Sequence, residues 1–137
     1  MNADFSARNT LETFVINDKM YVVGGFDGNR LNDVWSTTNG SDWTEETATA
    51  PFTPRISHKA IQFDNKVWLL GGIDDNGTYL NDVWYTSNGK NWLQATDNAS
   101  YTGRTGHAVV TNDNGIFIIA GTAGSVTNPQ NDVWYLD

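Results

Sequence analysis

The tetrapeptide Asn-Asp-Val-Trp occurs three times in this chain, at residues 32–35, 81–84 and 131–134. The second copy follows the first by 49 positions, and the third follows the second by 50. A motif that recurs at a nearly fixed interval of this size is typical of repeat proteins, in which each repeat folds as one supersecondary unit and packs against its neighbours. We therefore expect the 137 residues of the chain to form a repeat protein.

Other residues recur in register with the tetrapeptide. Each repeat has an arginine, a second residue three positions later and a pair of small residues thirteen positions after that: Arg8, Leu11 and Gly24-Gly25; Arg55, His58 and Gly71-Gly72; Arg104, His107 and Ala120-Gly121. A glycine pair provides backbone angles that other residues avoid, or lets another backbone pass close by. Because Ala120 replaces the first glycine of the third pair, we expect only Gly121 of that pair to need a positive φ.

The first two strands of each repeat are predicted from apolar runs, and no segment has the periodicity of a helix. The first strand is predicted at residues 13–16, 60–63 and 108–111, and the second, expected to be buried on both faces, at residues 20–23, 67–70 and 116–119. Between them lie residues that tolerate the positive φ of a two-residue hairpin turn: Asn17-Asp18, Asp64-Asn65 and Asp113-Asn114.

The third strand of each repeat carries the tetrapeptide, so its Val and Trp should lie on opposite faces of the sheet. We expect the Asp of each tetrapeptide to accept backbone N–H groups from the preceding loop. Asn39-Gly40 and Asn88-Gly89 predict a further two-residue turn. The fourth strand should then begin at Trp43 in the first repeat and at Trp92 in the second.

Four antiparallel strands per repeat form one sheet. Such sheets, stacked face to face around an axis, are the blades of a β-propeller. The double glycine, the aromatic residue after a short loop and the Trp of the last strand resemble the kelch repeat, whose period of about 50 residues also matches. The WD40 repeat fits less well, because its period is shorter and the glycine pair is not explained by it. The resemblance covers essentially the whole chain. It implies an all-β fold, a partial kelch-type β-propeller in a single domain of residues 1–137.

The third blade is expected to be incomplete. Blade 1 should span about residues 8–54, blade 2 about residues 55–103 and blade 3 about residues 104–137, where a fourth strand has no room. Residues 2–8 align with residues 49–55, a linker, and so do not supply that strand. We predict two four-stranded blades plus one three-stranded blade, half of a six-bladed ring.

A partial ring would leave the apolar faces of its terminal blades open, and propellers close with about four to eight blades. We therefore predict a homodimer of three plus three blades. The alternative is that the chain is an excised half of a longer propeller.

Composition excludes several classes of function. A net charge of -8 makes nucleic acid and anionic membranes poor partners, since both need clustered Lys and Arg. The chain has no cysteine, so disulfides, thiolate catalysis and Cys-ligated metals are excluded. No signal peptide or transmembrane segment is predicted in the chain as given, and the compartment is left open.

We place any ligand at the end of the blades where the loop lengths vary, near the mouth of the central channel. This loop spans residues 26–30, 73–79 and 122–129 in the three repeats, whereas the opposite end is expected to have uniform short turns. The candidate binding residues on the variable loops are Asp27, Asn29, Arg30, Asp74, Asp75, Asn76 and Tyr79. The repeated residues Arg55, Arg104, His58 and His107 complete the candidate set.

For the repeated residues a structural role is the stronger interpretation. We expect the arginines to join neighbouring blades through carbonyl or Asp partners. The histidines should be hydrogen-bonded strand residues, since no third His completes a metal triad. Asp74-Asp75-Asn76-Gly77 lacks the ligand spacing of a calcium loop, so no metal and no cofactor are predicted.

The kelch resemblance leaves three functions open. The first is a non-catalytic module that presents its loops to a protein, peptide or carbohydrate. The second is a carbohydrate enzyme like the six-bladed sialic acid mutarotases, although no distinctive acid/base pair stands outside the repeated positions. Galactose oxidase chemistry is excluded, because it requires a Tyr-Cys cross-link. The third is a purely structural propeller fragment without a ligand.

Overall fold

Every regular element of the described chain, residues 2–136, is a β-strand in this computed structural model. The strands are β1 (Glu12–Ile16), β2 (Lys19–Phe26), β3 (Arg30–Thr37), β4 (Thr44–Thr47), β5 (Lys59–Phe63), β6 (Lys66–Leu70), β7 (Val83–Thr86), β8 (Leu93–Thr96), β9 (Arg104–Thr105), β10 (Ala108–Asn112), β11 (Gly115–Ile119), β12 (Thr122–Ala123) and β13 (Val133–Leu136). None of these residues forms a helix with the length and hydropathy needed to cross a membrane. Met1 and Asp137, the ends of the predicted domain, lie outside the described residues.

The strands form three main antiparallel sheets, one for each repeat. Sheet 1 has the order β1-β2-β3-β4, sheet 2 the order β5-β6-β7-β8 and sheet 3 the order β10-β11-β13. The prediction of an all-β fold with two four-stranded sheets and one three-stranded sheet is confirmed. A small extra pair, β9 with β12, was not predicted. The first strands lie side by side, with β5 between β1 and β10, so they form the inner side of the arc.

The first hairpin turns are as predicted in two of the three repeats. Asn17 and Asp18 have φ of 52° and 60°, and Asp64 and Asn65 have φ of 50° and 56°. The turn at residues 113–114 also joins adjacent strands, but neither residue has a positive φ. Its backbone is held instead by the Asn112 side chain, whose Oδ1 accepts the N–H of residue 114 at 2.9 Å.

The predicted two-residue turn at Asn39-Gly40 is wrong. The connection between β3 and β4 spans residues 38–43, so β4 begins one residue after Trp43. Thr37 Oγ1 accepts the N–H of Gly40 at 3.0 Å, and Asn39 Oδ1 accepts two further backbone N–H groups, at 2.9 and 3.0 Å. Thr86 and Asn88 cap the same loop in sheet 2. A longer loop is stable here because side chains satisfy its N–H groups.

The core consists of two apolar clusters, each between adjacent sheets. The cluster between sheets 1 and 2 contains Phe14, Ile16, Tyr21, Val23, Val34, Ala50, Phe52, Val67, Leu69, Trp84 and Trp92. The cluster between sheets 2 and 3 contains Leu70, Val83, Ala99, Tyr101, Ile116 and Ile118, with Trp134 packed against it. In the middle sheet Val83 and Trp84 therefore face different neighbours, which confirms that the tetrapeptide is packed on both faces.

The outer faces of sheets 1 and 3 are open to solvent. Val133 is 61% exposed, whereas Val34 and Val83, its equivalents in the other repeats, are 0% and 2% exposed. Met20 is 40% exposed, and its equivalents are buried between sheets. Full burial of such a side chain contributes about 1.5–3 kcal/mol. These two outer faces therefore carry the same kind of apolar side chains as the faces that are packed between sheets, but no sheet of the described chain covers them.

The expectation that only Gly121 of the third small-residue pair has a positive φ is wrong. Ala120 has a φ of 56°, close to the 60° and 65° of Gly24 and Gly71, which it replaces. The turn therefore keeps its left-handed geometry although Ala carries a Cβ. This conformation costs an L-residue roughly 1–2 kcal/mol.

Replacing Ala120 by Gly should stabilise the protein by about 0.5–1 kcal/mol, because the gain at the left-handed position exceeds the cost of the more flexible unfolded chain. Ala108→Gly is the matched control, since Ala108 is an exposed residue of the regular strand β10. That control should lose about 0.5–1 kcal/mol. Urea unfolding of the two variants at one protein concentration measures both changes. A loss of stability in both variants would contradict the strain at residue 120.

Candidate functional site

The variable loops lie at one end of the sheets, together with the connections between repeats. Each loop is closed by a bridging pair: Phe26 with Arg30, Ile73 with Tyr79, and Thr122 with Pro129. These pairs are the boundaries predicted from the sequence. The loops differ in length from repeat to repeat, so this end is the variable one.

In the first loop, Asp27 is held by its neighbours. Its Oδ2 accepts the Ser6 hydroxyl at 2.7 Å, and its Oδ1 accepts the backbone N–H of Asn29 at 3.2 Å. The hydrogen bond from Ser6 is the main reason why the pKa of Asp27 lies below its usual value. Asp27 and Asn29 are both exposed, so their free lone pairs and the Asn29 amide face solvent.

In the second loop, Asp74 has a structural role. Its side chain is buried, and Oδ1 accepts the backbone N–H groups of Asn76 and Thr78 at 2.9 and 2.8 Å. Asn76 is exposed and Tyr79 is half-buried. Among residues 2–136, no three His, Cys, Asp or Glu side chains are grouped as metal ligands would be.

The first and second loops meet at Arg30 and Asp75. Arg30 Nη1 donates to Asp75 Oδ1 at 3.1 Å, and Asp75 is largely exposed. The structure thus brings two of the predicted residues together across the junction of sheets 1 and 2. Such a pair contributes little to stability, because solvent screens it. It is therefore an accessible polar feature of the surface.

The repeated arginines are buried in ion pairs. Arg55 Nη1 and Nη2 each donate to a carboxylate oxygen of Asp82 at 2.7 Å, and Nη1 also donates to the Gly71 carbonyl at 3.1 Å. The backbone N–H of Arg55 donates to the Leu31 carbonyl of the preceding sheet at 3.2 Å. The carbonyl and Asp partners are those expected, and the residue joins neighbouring sheets. Arg104 with Asp132, and Arg8 with Asp33, repeat the ion pair.

The expectation that each tetrapeptide Asp accepts backbone N–H groups is wrong, because its lone pairs are used by side chains. Besides the arginine, Asp82 Oδ2 accepts the indole N–H of Trp84 at 2.7 Å. The same bond measures 2.8 Å in the first repeat and 2.6 Å in the third. The bond from Arg104 is the main reason why the pKa of Asp132 is lowered. Residues two apart on a strand share a face, so the Asp-Val-Trp spacing could have indicated this contact.

The expectation that the histidines are hydrogen-bonded strand residues is also wrong. His58 and His107 precede their strands, are buried, and have no hydrogen-bond partner on either ring nitrogen within the described chain. Burial, reinforced by the adjacent arginine, lowers the pKa of His58 to about 3 and that of His107 to about 4. The nearby Val23 carbonyl acts in the opposite direction and raises the pKa of His58, but it is not placed well enough to accept a hydrogen bond from the ring. Both rings are therefore neutral at pH 7.

Antiparallel meanders that stack face to face, with the fourth strand on the outside, define the blades of a β-propeller. The model of the KLHDC2/KLHL20/DRC7 Kelch-repeats domain matches residues 2–137. The chain belongs to the kelch-repeat family.

A curated relative is "tRNA wybutosine-synthesizing protein 2/3/4" from Oryza sativa subsp. japonica. The two sequences are 36% identical over an alignment of 67 residues, and the match covers 46% of this chain and 6% of the rice protein. The chain thus matches only a small part of that protein.

Removing one partner of a buried ion pair should be far more costly than removing one partner of the exposed pair. Asp82→Ala leaves the Arg55 guanidinium buried without its carboxylate, which should destabilise the protein by about 3–5 kcal/mol. Asp75→Ala removes the exposed partner of Arg30 and should cost at most about 1 kcal/mol. Chemical denaturation compares the two. Equal losses would contradict the structural role of the buried pair.

Stability should fall as the pH is lowered from 6.5 to 5, because the unfolded chain then binds protons at both histidines while the folded protein does not. The loss should reach up to about 2 kcal/mol per histidine at pH 5. Carboxylates contribute only nearer their own pKa values. Thermal unfolding across this range tests the expectation, with His58→Gln and His107→Gln each halving the pH dependence. An unchanged slope in both variants would contradict it.

Proposed function

We propose that this chain is a non-catalytic kelch scaffold that pairs with a second copy to complete a six-bladed ring and binds a protein, peptide or carbohydrate through its variable loops. One observation supports the proposed binding role of the variable loops. The repeated polar residues are used inside the protein, as buried ion pairs and neutral packed rings, whereas the exposed polar groups of the variable loops are not repeated. Binding residues typically occupy such loops on rigid scaffolds.

The ring is supported by the open faces of sheets 1 and 3. Each face carries apolar side chains whose equivalents in the other repeats are buried between sheets. Exposed apolar side chains on the face of a sheet favour an interaction site there. The net charge of -8 does not favour nucleic acid as the ligand, so the RNA in the name of the rice relative is not part of the proposal.

The wild-type chain should sediment with twice the mass of one chain at micromolar concentration. Sedimentation velocity at a salt concentration near 0.15 M, where repulsion between the acidic chains is screened, measures this. A single species with the mass of one chain at every concentration tested would sink the paired ring.

The binding role is tested with an immobilised glycan array and a peptide library. Any hit should be weakened at least about tenfold by Asp75→Ala combined with Asn76→Ala, a loss of the size expected for contacts that specify a ligand. Asp113→Ala is the matched control, because Asp113 is also an exposed acid but lies at the opposite end of the sheets, in the turn between β10 and β11. Hits that respond equally to both changes would argue against the variable loops as the binding site.

A further inference from the structure

The two open faces are of different kinds. Each internal junction packs one face of a sheet against the opposite face of the next: Val34 of sheet 1 meets Trp84 of sheet 2, and Val83 of sheet 2 meets the Trp134 side of sheet 3. Sheet 3 exposes the valine face, which carries Val133, and sheet 1 exposes the tryptophan face, which carries Met20 and the half-buried Trp35. One chain thus carries both halves of one more junction, at opposite ends.

Residues 2–8 pack on the tryptophan face of sheet 1 in the way that an internal linker packs on its sheet. Phe5 packs on Trp35 and Trp43 with ring centroids 6.2 and 4.9 Å apart. Its equivalent in the internal linker, Phe52, packs on Trp84 and Trp92 at 6.2 and 5.4 Å. The arginine three residues later lies over the ring in both linkers, at 5.2 and 5.6 Å. Residues 2–8 therefore have the conformation of an internal linker, although no sheet precedes them in the described chain.

The hydrogen bonds at the internal junctions indicate which side chain would donate to this linker from a preceding sheet. Asn32 Nδ2 donates to the carbonyls of Ala50 and Phe52 at 2.8 and 3.0 Å, and Asn81 makes the same bonds to the second linker. Asn131 is the third copy, and it is exposed without these partners within residues 2–136. The equivalents of Ala50 and Phe52 in the first linker are Ala3 and Phe5.

Two differences between the repeats indicate which blade would fit against the open face of sheet 3. A Cβ placed on Gly24 would lie 3.0 Å from His58 Cε1, and one placed on Gly71 would lie 2.6 Å from His107 Cε1. A Cβ at either position would press on the imidazole, and the one on Gly71 would also lie 2.9 Å from the Arg104 carbonyl, so a histidine at this contact favours a glycine opposite. The third copy of the glycine is Ala120, and the copy of the histidine on the open face of sheet 1 is Leu11. The third repeat, which has Ala120 in place of the glycine, therefore matches the first repeat, which has Leu11 in place of the histidine.

We propose that the valine face of sheet 3 binds the tryptophan face of sheet 1 in a second copy of this chain, with Ala120 packing on the partner's Leu11 and the Asn131 amide donating to the carbonyls of the partner's Ala3 and the partner's Phe5. Two copies satisfy both junctions at once, so the contact closes with twofold symmetry. This inference rests on the proposed pairing and specifies its surfaces.

The test uses Leu11→His in the full chain. The new imidazole would meet the Ala120 methyl of the partner subunit, so the dissociation constant of the dimer should rise at least about tenfold, a change typical of a clash in a packed interface. Ala120→Gly in the same chain should restore pairing to within about threefold of the wild type.

Mixing the two single variants gives a sharper test. In a heterodimer of the Leu11→His chain with the Ala120→Gly chain, one junction has histidine against glycine and the other has the wild-type pair. The heterodimer should therefore form in preference to the Leu11→His homodimer, as measured by native mass spectrometry with one chain isotope-labelled. Rescue between chains requires the two residues to meet across the interface.

The outcomes separate this inference from the proposed function. A wild-type dimer that is unaffected by Leu11→His, or not rescued between chains, would overturn these surfaces and leave the pairing itself intact. A wild-type monomer would overturn both. If Leu11→His does not fold, Asn131→Ala serves instead, since Asn131 is exposed in the single chain, and it should weaken pairing about tenfold. An unchanged dissociation constant for that variant would also overturn the proposal.

Discussion

The buried pairing of an arginine with the tetrapeptide aspartate is the interaction on which the rest of the structure depends. Arg55 binds the preceding sheet through its backbone, at Leu31, and its own sheet through its guanidinium, at Asp82 and the Gly71 carbonyl. A buried ion pair overcomes its desolvation cost only when its geometry is good and its other donors are satisfied. Here Asp82 also holds the indole of Trp84, whose ring lies in the apolar core. In sheet 2, charge pairing and core packing are therefore one unit, and the hydrogen bonds of that unit recur in sheets 1 and 3.

Much of the fold could be predicted from the recurrence alone. The spacing of the tetrapeptides located the third strands, and the apolar runs located the first and second to within a few residues, because a repeated core leaves the same pattern in each copy. The turn at Asn39-Gly40 could not be read from that dipeptide, since Thr37 and Asn39 hold a longer loop. Ala120 kept a left-handed conformation because the repeated surroundings determine its backbone more strongly than its own preference does.

The loops that carry the candidate residues were predicted more completely than the contacts of those residues. Sequence reasoning placed the variable loops correctly, because their boundaries coincide with bridging pairs. It could not foresee the contact of Arg30 with Asp75, which joins residues on different sheets, or the use of Asp74 to close its own loop. The absence of a third His argued against a metal site, but it could not show that the two rings lack hydrogen-bond partners. What recurs opposite these rings is the space left by a glycine.

That space has a consequence for the order of the repeats. Gly24 admits the ring of His58, and Gly71 admits that of His107, but the Cβ of Ala120 occupies the corresponding volume. Appending another copy of the second repeat after the third would force an imidazole onto this methyl group. A copy of the first repeat brings a leucine instead. The three repeats share a fold, but this methyl group makes the third repeat fit a leucine better than an imidazole.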